Sequence, residues 1–254
     1  MNQLIKLSIL TSALFSTLVL GQENCQGSLV TDNAGLEQYR GCSVIEGSLH
    51  LRDRVDELSA LENLVTINGD FRIGGGWNSG TAEVKSLSPL RNLNSVQGSF
   101  IIGLTEIDSL SGLNNLSFVG GSFIIRQNRN LLTTSGVNRL AYIGEDLWFY
   151  QNGSLKTVNG FFSLSAIGGE FLISMNSIVS ISGFNALTTI NDDFKIPFPN
   201  GVQSISGFSN LTRVGGDLFV QLSGLWFPNT SVIFNQVHVD GERTIKTYGG
   251  PDLN

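Results

Sequence analysis

The stretch Val119-Gly-Gly-Ser-Phe-Ile-Ile125 decides the fold, because its pattern recurs through most of the chain. Each copy has an apolar residue first, usually glycine third, Phe or Leu fifth and an apolar residue seventh. The first residues of the eight copies are 22, 29, 23, 24, 24, 23 and 24 positions apart. A nearly constant period of this length is typical of a solenoid. The other copies are residues 45–51, 67–73, 96–102, 143–149, 167–173, 190–196 and 214–220.

A second pattern, with a step of three residues, precedes seven of the eight copies. Before Val119 it places apolar residues at Leu116, Leu113, Leu110 and Ile107, and Thr134 is its only polar interruption in the chain. A step of three followed by a step of two fits neither an α-helix nor an antiparallel sandwich. The step of two predicts a strand, and the step of three predicts an arc that turns one residue in three inward.

We therefore predict an all-β fold: a right-handed parallel β-helix, or leucine-rich-repeat-like solenoid, of about eight rungs with a period near 24. The solenoid should span residues 22–224, and residues 225–254 should form a C-terminal cap and tail. The glycine at the third motif position should bend the chain or fit a crowded corner. Glu145 and Asp192 replace it in two copies, which argues against a strict requirement for positive φ.

The first 21 residues indicate a secretory signal peptide. Lys6 is their only charge, and residues 7–20 are an unbroken run of apolar and small residues. An uncleaved anchor is the alternative, but about 20 apolar residues are needed to span a bilayer. No second apolar segment follows near the C-terminus, so we expect a secreted, extracellular protein without a transmembrane anchor.

Charge and cysteine content narrow the class of partner. The formal net charge of −6 and the pI near 4.9 argue against nucleic acid, which needs a basic face. The two cysteines, Cys25 and Cys42, precede the first copy, and in an oxidising compartment a disulfide there would close the N-terminal end of the solenoid. A metal pair is the alternative, although no further Cys or nearby His would complete it.

Four Asn-x-Ser/Thr sequons predict surface glycans if the host is eukaryotic. Their acceptors are Asn115, Asn152, Asn210 and Asn229. Asn115 and Asn210 share a repeat column with Asn63 and Asn92, which are not sequons. Local hydrogen bonding is therefore the alternative reason for asparagine in that column.

The outward positions of the predicted strands indicate a partner-binding face. One column reads His50, Arg72, Ile101, Ile124, Trp148, Leu172, Lys195 and Phe219, and four consecutive members are large and apolar. The insertions after the motif all lie on one edge, where binding loops often lie. The predicted partner-binding residues are Arg72, Trp77, Ile101, Ile124, Arg126, Trp148, Tyr150, Leu172 and Phe219. The alternatives are a segment folded over this column or a second core layer, and homo-association through it is also open.

The neighbouring outward column is acidic, with Asp146, Glu170, Asp193 and Asp217 on successive copies. Paired carboxylates on such a ladder would suit a glycosidase, and their oxygens could hold Ca²⁺ weakly. An ordinary solvated face is the favoured interpretation, because no His, Tyr or Arg set converges on the column. The two histidines lie at opposite ends of the chain, and no nucleophile motif is present. We expect no catalytic residues, no cofactor and no metal.

The stretch Leu36-Glu-Gln-Tyr-Arg-Gly-Cys42-Ser-Val-Ile-Glu-Gly-Ser-Leu-His-Leu51 resembles the opening of receptor L domains, the ligand-binding solenoids of insulin- and epidermal-growth-factor-type receptors. The later rungs are similar to L-domain-like proteins of fungal and microbial surfaces. The resemblance covers about residues 25–220. It implies pairing of Cys25 with Cys42 and ligand binding through a broad sheet face.

From this resemblance and the outward columns, we predict a secreted or cell-surface-associated, non-catalytic binding or structural module. Its partner would be an extracellular protein or glycan. No Cys-rich module, transmembrane helix or kinase follows, so signalling is not implied. The alternative function is a carbohydrate-binding or carbohydrate-active protein that uses the acidic column.

Overall fold

A computed structural model of the chain describes residues 24–75, 81–197, 202, 204–223 and 234–248. In these residues the chain forms a parallel β-solenoid of about eight repeats with a period near 24, which confirms the predicted all-β architecture. Residues 1–21, predicted as a signal peptide, lie outside the described residues. The described part contains no helix long and apolar enough to cross a membrane.

Two long sheets run the length of the solenoid, and every strand pairs in parallel with its equivalent one rung away. The first sheet has ten strands: Asn24–Gln26, Val44–Glu46, Thr66–Ile67, Ser95–Val96, Phe118–Val119, Tyr142–Ile143, Ala166–Ile167, Thr189–Ile190, Arg213–Val214 and His238–Val239. The second also has ten: Leu29–Asp32, Leu49–Arg54, Phe71–Ile73, Phe100–Gly103, Phe123–Arg126, Leu147–Tyr150, Phe171–Ser174, Phe194–Ile196, Leu218–Ser223 and Arg243–Tyr248. A third, short sheet contains Thr157–Val158, Ser180–Ile181 and Ser204–Ile205.

The inward residues of both patterns form one continuous core. Leu116, Leu113, Leu110 and Ile107 are fully buried, as the step of three predicts. Aromatic rings stack from rung to rung inside it: the ring centroids of Phe71 and Phe100 are 4.9 Å apart, and those of Phe100 and Phe123 are 5.4 Å apart. A second stack contains Phe161, Phe184 and Phe208. The stacks follow from the parallel register, which places equivalent side chains on top of one another.

Two local features predicted from the pattern also have a structural explanation. Thr134, the polar interruption of the core, is fully buried and its hydroxyl donates to the Asn159 carbonyl over 2.7 Å. At the third motif position, a Cβ on Gly121 would lie 2.6 Å from Ser99 Oγ of the preceding rung. Of the six glycines at this position, all within the described ranges, only Gly47 has a positive φ. Crowding between rungs therefore selects glycine there.

An asparagine ladder forms the corner that follows the second sheet. In four rungs the residue directly after the strand has a φ between 55° and 57°, and the residue after that is Thr or Asn. The positive-φ residues are Leu104, Gln127, Gln151 and Met175. The four residues of the ladder are Thr105, Asn128, Asn152 and Asn176.

The ladder joins each rung to its neighbours by side-chain hydrogen bonds to the backbone. Asn128 Oδ1 accepts from the Thr105 backbone N–H over 3.1 Å and from the Thr105 hydroxyl over 2.7 Å. Asn128 Nδ2 donates to the Ile102 carbonyl over 3.0 Å. Asn152 repeats the arrangement with the Asn128 N–H and the Ile125 carbonyl, and Asn176 Oδ1 accepts from the Asn152 N–H.

This position of Asn152 bears directly on its predicted glycosylation. Its side chain is fully buried, with Nδ2 donating to the Ile125 carbonyl over 2.9 Å. A glycan on Nδ2 has no space in this fold. The asparagine is explained by its hydrogen bonds to adjacent rungs.

The N-terminal end of the core is covered by a short cap. It consists of the α-helix Asn33–Leu36 and the 3₁₀-helix Glu37–Tyr39, and the Cys25–Cys42 disulfide closes it, as predicted. The Tyr39 hydroxyl donates to the Gln26 carbonyl over 3.0 Å. Two further 3₁₀-helices, Ser59–Leu61 and Ser88–Asn92, lie in the arcs of later rungs.

The C-terminal end contains a further rung where the sequence predicted only a cap and tail. His238–Val239 extends the first sheet and Arg243–Tyr248 extends the second. Phe234 is fully buried beside Phe194, and Nη1 of Arg243 donates to the Phe234 carbonyl over 2.7 Å. Of the predicted cap and tail, residues 225–233 and 249–254 lie outside the described residues. The described end of the core is thus covered by Phe234 and the final rung.

The asparagine ladder should contribute strongly to stability. We expect Asn128→Ala to lower the free energy of unfolding by about 2–4 kcal/mol, because it leaves the buried Thr105 N–H and Ile102 carbonyl unpaired. Urea unfolding followed by circular dichroism measures this. Asn130→Ala, at an exposed asparagine two residues later, is the control and should change stability by less than about 0.5 kcal/mol. Equal effects of the two substitutions would contradict a role for the ladder.

Candidate functional site

The outward apolar column of the second sheet is the first candidate. Ile101, Ile124, Trp148 and Leu172, called the outer strip below, lie on four consecutive rungs in parallel register. All four are half-buried. In each strand, the residues directly before and after them are buried in the core. The outer strip therefore lies on the outer surface of the sheet. At a rung spacing of about 4.8 Å, it is roughly 14 Å long.

Charged residues flank the outer strip on its N-terminal side. Arg72 pairs with Ile101 in the sheet and is exposed, and its Nη2 lies 3.2 Å from Asp70 Oδ2. Next to it, burial lowers the pKa of His50, and the charge of Arg72 lowers it further. The lowered pKa of His50 favours its uncharged form, and Arg72 carries a positive charge on this flank beside Asp70.

Arg126 occupies a different environment from the one expected of a partner-binding anchor. Its side chain is only 7 % exposed, and Nη2 donates to the Gly75 carbonyl over 3.2 Å. It therefore links the second sheet to the start of the insertion that follows the strand Phe71–Ile73. Tyr150, on the next rung, is half-buried at the same strand position. Trp77, predicted as the loop's binding residue, lies outside the described residues.

The C-terminal side of the outer strip is mixed in character. Lys195 follows Leu172 in the sheet, and half-buried Phe219 follows Lys195. The ammonium group of Lys195 contacts the carboxylate of Asp193 and lies 3.3 Å from Oε1 of Glu170. Phe219 is thus separated from the outer strip by a charged cluster. The structure joins four of the five apolar residues of the predicted column into one patch.

A cleft with a volume of about 390 Å³ opens beside the outer strip, at the edge where the insertions emerge. Its lining includes Glu83, Glu106, Gln127 and Arg129. Gln127 comes three residues after Ile124, so the strand that carries the outer strip leads directly into the cleft. The cleft thus lies at the edge where the sequence predicts binding loops.

The acidic column has a structural role that the sequence did not indicate. Its side-chain oxygens accept backbone N–H groups from the next rung: Asp70 Oδ1 from Ser99 over 2.9 Å, and Asp146 Oδ1 from Glu170 over 2.9 Å. The same bond joins Asp193 to Asp217 and Asp217 to Glu242, and serines supply it in other rungs. The column is therefore a ladder of hydrogen bonds that aligns successive strands.

Glu170 departs from this arrangement, because its longer side chain reaches Lys195. Burial raises the pKa of the Glu170 carboxyl, and the nearby Lys195 charge offsets only part of that rise. For Asp193, burial acts to raise the pKa, but hydrogen bonds from Lys195 and from the Asp217 N–H lower it by more. The hydrogen bond to Asp193 raises the pKa of Lys195.

The two histidines, the remaining candidates for catalytic residues, do not lie together. His50 lies in the second strand of the second sheet, and His238 lies in the last strand of the first sheet with its Nε2 2.9 Å from Asp240 Oδ1. Among the described residues, no three His, Cys, Asp or Glu side chains are placed to hold a metal ion.

A scan against protein-family models finds no match, and a search of curated proteins finds none either. The resemblance to receptor L domains therefore depends on the opening motif and the rung pattern alone, and it stays a prediction.

Sequence reasoning missed the asparagine ladder and the hydrogen-bonding function of the acidic column. The signal for the ladder was present: Asn128, Asn152 and Asn176 each follow the seventh motif residue by three positions. The signal for the column was the restriction of its members to Ser, Asp and Glu, since hydroxyl and carboxylate oxygens can accept a backbone N–H.

The opposite pKa shifts of Glu170 and Asp193 predict opposite pH dependences. The folded pKa of Glu170 lies above its ordinary 4.5, so its contribution to stability is present at low pH and lost as pH rises through the folded pKa. That of Asp193 lies below 3.8, so its contribution is present above 3.8 and lost as pH falls through the folded pKa. Glu170→Gln should therefore gain stability relative to the wild type as pH rises above 4.5.

Asp193→Asn serves as the matched comparison, because asparagine keeps an oxygen that can accept the Asp217 N–H. It should lose stability relative to the wild type as pH rises through the acidic range. Urea unfolding of the three proteins from acidic to neutral pH measures both trends. Parallel pH profiles for the two variants would contradict the opposite shifts.

Proposed function

We propose that this protein is a secreted or cell-surface-associated, non-catalytic recognition module whose partner binds across the outer strip. The observation that carries the proposal is the register of Ile101, Ile124, Trp148 and Leu172 on four consecutive rungs of the outer sheet surface. Contiguous apolar patches on a soluble domain are typical of interaction sites, and Trp is a frequent anchor in them. The resemblance of the opening motif to receptor L domains supports the same surface.

The surroundings of the outer strip suggest what the partner carries. Acidic groups crowd its C-terminal side, where Asp146, Glu170, Asp193 and Asp217 lie on successive rungs with Lys195 as the neighbouring cation. The whole chain has a net charge of −6. A partner that places an apolar segment on Trp148 and basic groups beside Glu170 would complement this surface. An extracellular protein fits this description better than an acidic polysaccharide.

An extracellular location is supported by two independent features. Residues 1–21 have the composition of a secretory signal peptide. The Cys25–Cys42 disulfide is of the kind that persists in oxidising compartments. Together they favour function outside the cell.

The hydrogen bonding of the acidic column favours recognition over catalysis. Asp146, Asp193 and Asp217 each hold a backbone N–H of the next rung, so these carboxylates are engaged in the fold. Glu170 is held beside Lys195. A glycosidase needs one carboxyl that is free to donate a proton to the leaving group. The structural role of the three aspartates explains the column without catalysis and so supports the non-catalytic proposal. Glu170, whose pKa burial raises, is the carboxyl that a hydrolysis assay would test.

Replacing the centre of the outer strip tests the proposal. Labelled wild-type protein should bind to extracellular-protein arrays and to intact cells. The double variant Trp148→Ala with Ile124→Asp should bind at least about tenfold more weakly, because it removes the aromatic anchor and buries a charge in the interface. Leu132→Asp is the matched control, since Leu132 is an exposed apolar residue, 53 % exposed, outside the outer strip.

Thermal unfolding of each variant must remain cooperative for the comparison to count. Full binding by the double variant would exclude the outer strip as the recognition surface. A parallel hydrolysis screen on purified polysaccharides addresses the alternative function. Turnover of any of them would contradict the non-catalytic proposal.

Glycan mapping tests the proposed secretory route and separates the sequons. Asn210 is exposed and Asn115 half-buried, and each donates one Nδ2 hydrogen to a backbone carbonyl of the preceding rung over 2.7 Å. The second Nδ2 hydrogen is available for replacement by a sugar. After secretion from a eukaryotic host, we expect glycans on Asn115 and Asn210 and none on buried Asn152, measured by peptide mass spectrometry with enzymatic deglycosylation. Occupancy of Asn152 would contradict its buried position; Asn229 lies outside the described residues.

A further inference from the structure

On the outer surface of the first sheet, a short stack of aromatic side chains ends abruptly. The proposed function does not use this feature. Phe118, Tyr142, Ala166 and Thr189 occupy equivalent outward positions on four consecutive rungs. The column thus passes from two aromatic rings to a methyl group and then to a hydroxyl. Tyr142 is 40 % exposed, which is high for an aromatic residue in the middle of a sheet.

Among the described aromatic residues, Phe118 alone stacks on the Tyr142 ring. The rings of Phe118 and Tyr142 stack with centroids 5.7 Å apart and planes inclined by 17°, so their faces point along the ladder. Phe118 covers the first face of Tyr142. The second face is directed toward the rung of Ala166, whose side chain ends at Cβ and is too short to cover a ring. The result is a step one aromatic ring in depth, with Tyr142 as its wall and Ala166 as its floor.

The space at the step has the thickness of a single flat ring. Tyr142 and Thr189 are two rungs apart, or about 9.6 Å at a spacing of about 4.8 Å per rung. Gly144 and Gly168 lie two positions after Tyr142 and Ala166 and have no side chains to obstruct approach from that side. A planar group can therefore lie against Tyr142 with its edge over the backbone.

Hydroxyl groups line the opposite side of the step. Thr188 Oγ1 donates to the Ser165 carbonyl over 3.0 Å and lies 3.2 Å from Thr189 Oγ1. Ser165 Oγ donates to the Ala141 carbonyl over 3.0 Å. A hydroxyl that donates one hydrogen bond keeps lone pairs to accept others. The rim of the step thus offers fixed acceptors close to an apolar ring face.

We propose that this step binds one pyranose ring of a neutral oligosaccharide. A pyranose has a face of C–H groups that can stack on the Tyr142 ring and an edge of hydroxyls that can donate to Thr188, Thr189 and Ser165. Ligand sites commonly combine an aromatic surface with a few oriented polar groups of this kind. Arg213, the nearest cation in the column, is ion-paired with Asp240, which favours a neutral sugar over an anionic one. The site lies on a different sheet from the outer strip and does not depend on it.

The test uses the purified, folded protein and three probes: cellohexaose, laminarihexaose and chitohexaose. Saturation-transfer NMR and isothermal titration calorimetry measure contact and affinity. Wild-type protein should bind at least one probe, with saturation strongest on the C–H protons of one sugar face. Tyr142→Ala removes the wall, and Ala166→Phe fills the step by continuing the Phe118–Tyr142 stack. Each should weaken binding at least about tenfold, which corresponds to about 1.4 kcal/mol.

Two controls keep the outcomes distinct. Phe162→Ala and Leu132→Ala remove other exposed apolar side chains, 54 % and 53 % exposed, and both should bind the probe as the wild type does. Ala166→Phe adds a surface ring without creating a cavity, so it should retain the wild-type melting temperature and report on the step even if Tyr142→Ala is destabilised. Failure of all three probes to bind the wild type would overturn the proposal, as would unchanged affinity of Ala166→Phe. Loss of probe binding in Trp148→Ala alone would also overturn it and place the sugar on the outer strip.

Discussion

The fold depends on the parallel stacking of rungs at a spacing of about 4.8 Å. At that distance each residue lies directly above its equivalent in the preceding rung, so the buried columns favour side chains that stack well on one another. Phenylalanine satisfies this in the core, as the rings of Phe184 and Phe208 show with centroids 4.9 Å apart. Glycine satisfies it where the backbone of one rung meets the side chain of another, as between Gly121 and Ser99. The recurrence of residue types at equivalent positions is the direct consequence of this stacking.

The same constraint explains polar columns that look like functional sites. A side chain that can bond to the rung beside it contributes to stacking at every repeat, and the acid at Asp146 does so through the Glu170 N–H. Asn128 bonds to the preceding rung through both the oxygen and the nitrogen of its side-chain amide. Such residues recur because their hydrogen bonds stabilise the fold. A regular column of acids or amides in a solenoid is thus weak evidence for catalysis or for glycosylation.

The sequence predicted the inward half of the structure well and the ends and corners poorly, for identifiable reasons. Inward residues follow from the alternation of a strand, which local pattern reveals. In the last rung, Val239 follows Val237 by two residues, whereas Val119 follows Leu116 by three, and Arg243 stands where Phe or Leu is usual. The pattern is lost there although the backbone pairing continues.

Contacts between distant parts of the chain were beyond local pattern for another reason. The guanidinium of Arg126 bonds to the Gly75 carbonyl, 51 residues earlier, and only the stacking of rungs brings that partner close. The outer strip was predictable because strand alternation places Ile124 and Trp148 outward whatever the loops do. The cleft beside it was not, because Glu83 and Arg129 meet there only through the stacking of rungs.

In this fold, functional residues are best sought where the side chains of a column no longer stack on their neighbours. A carboxylate such as that of Asp217, which accepts the Glu242 N–H, already has a structural role in the stacking of rungs and is therefore weaker evidence for a ligand site. Trp148 is different, because its neighbours in the column are aliphatic and its large ring is only half-buried. Tyr142 is different as well, because the aromatic stack ends at Ala166 and leaves a ring face open. The proposed partner surface and the proposed sugar site each lie at one of these interruptions.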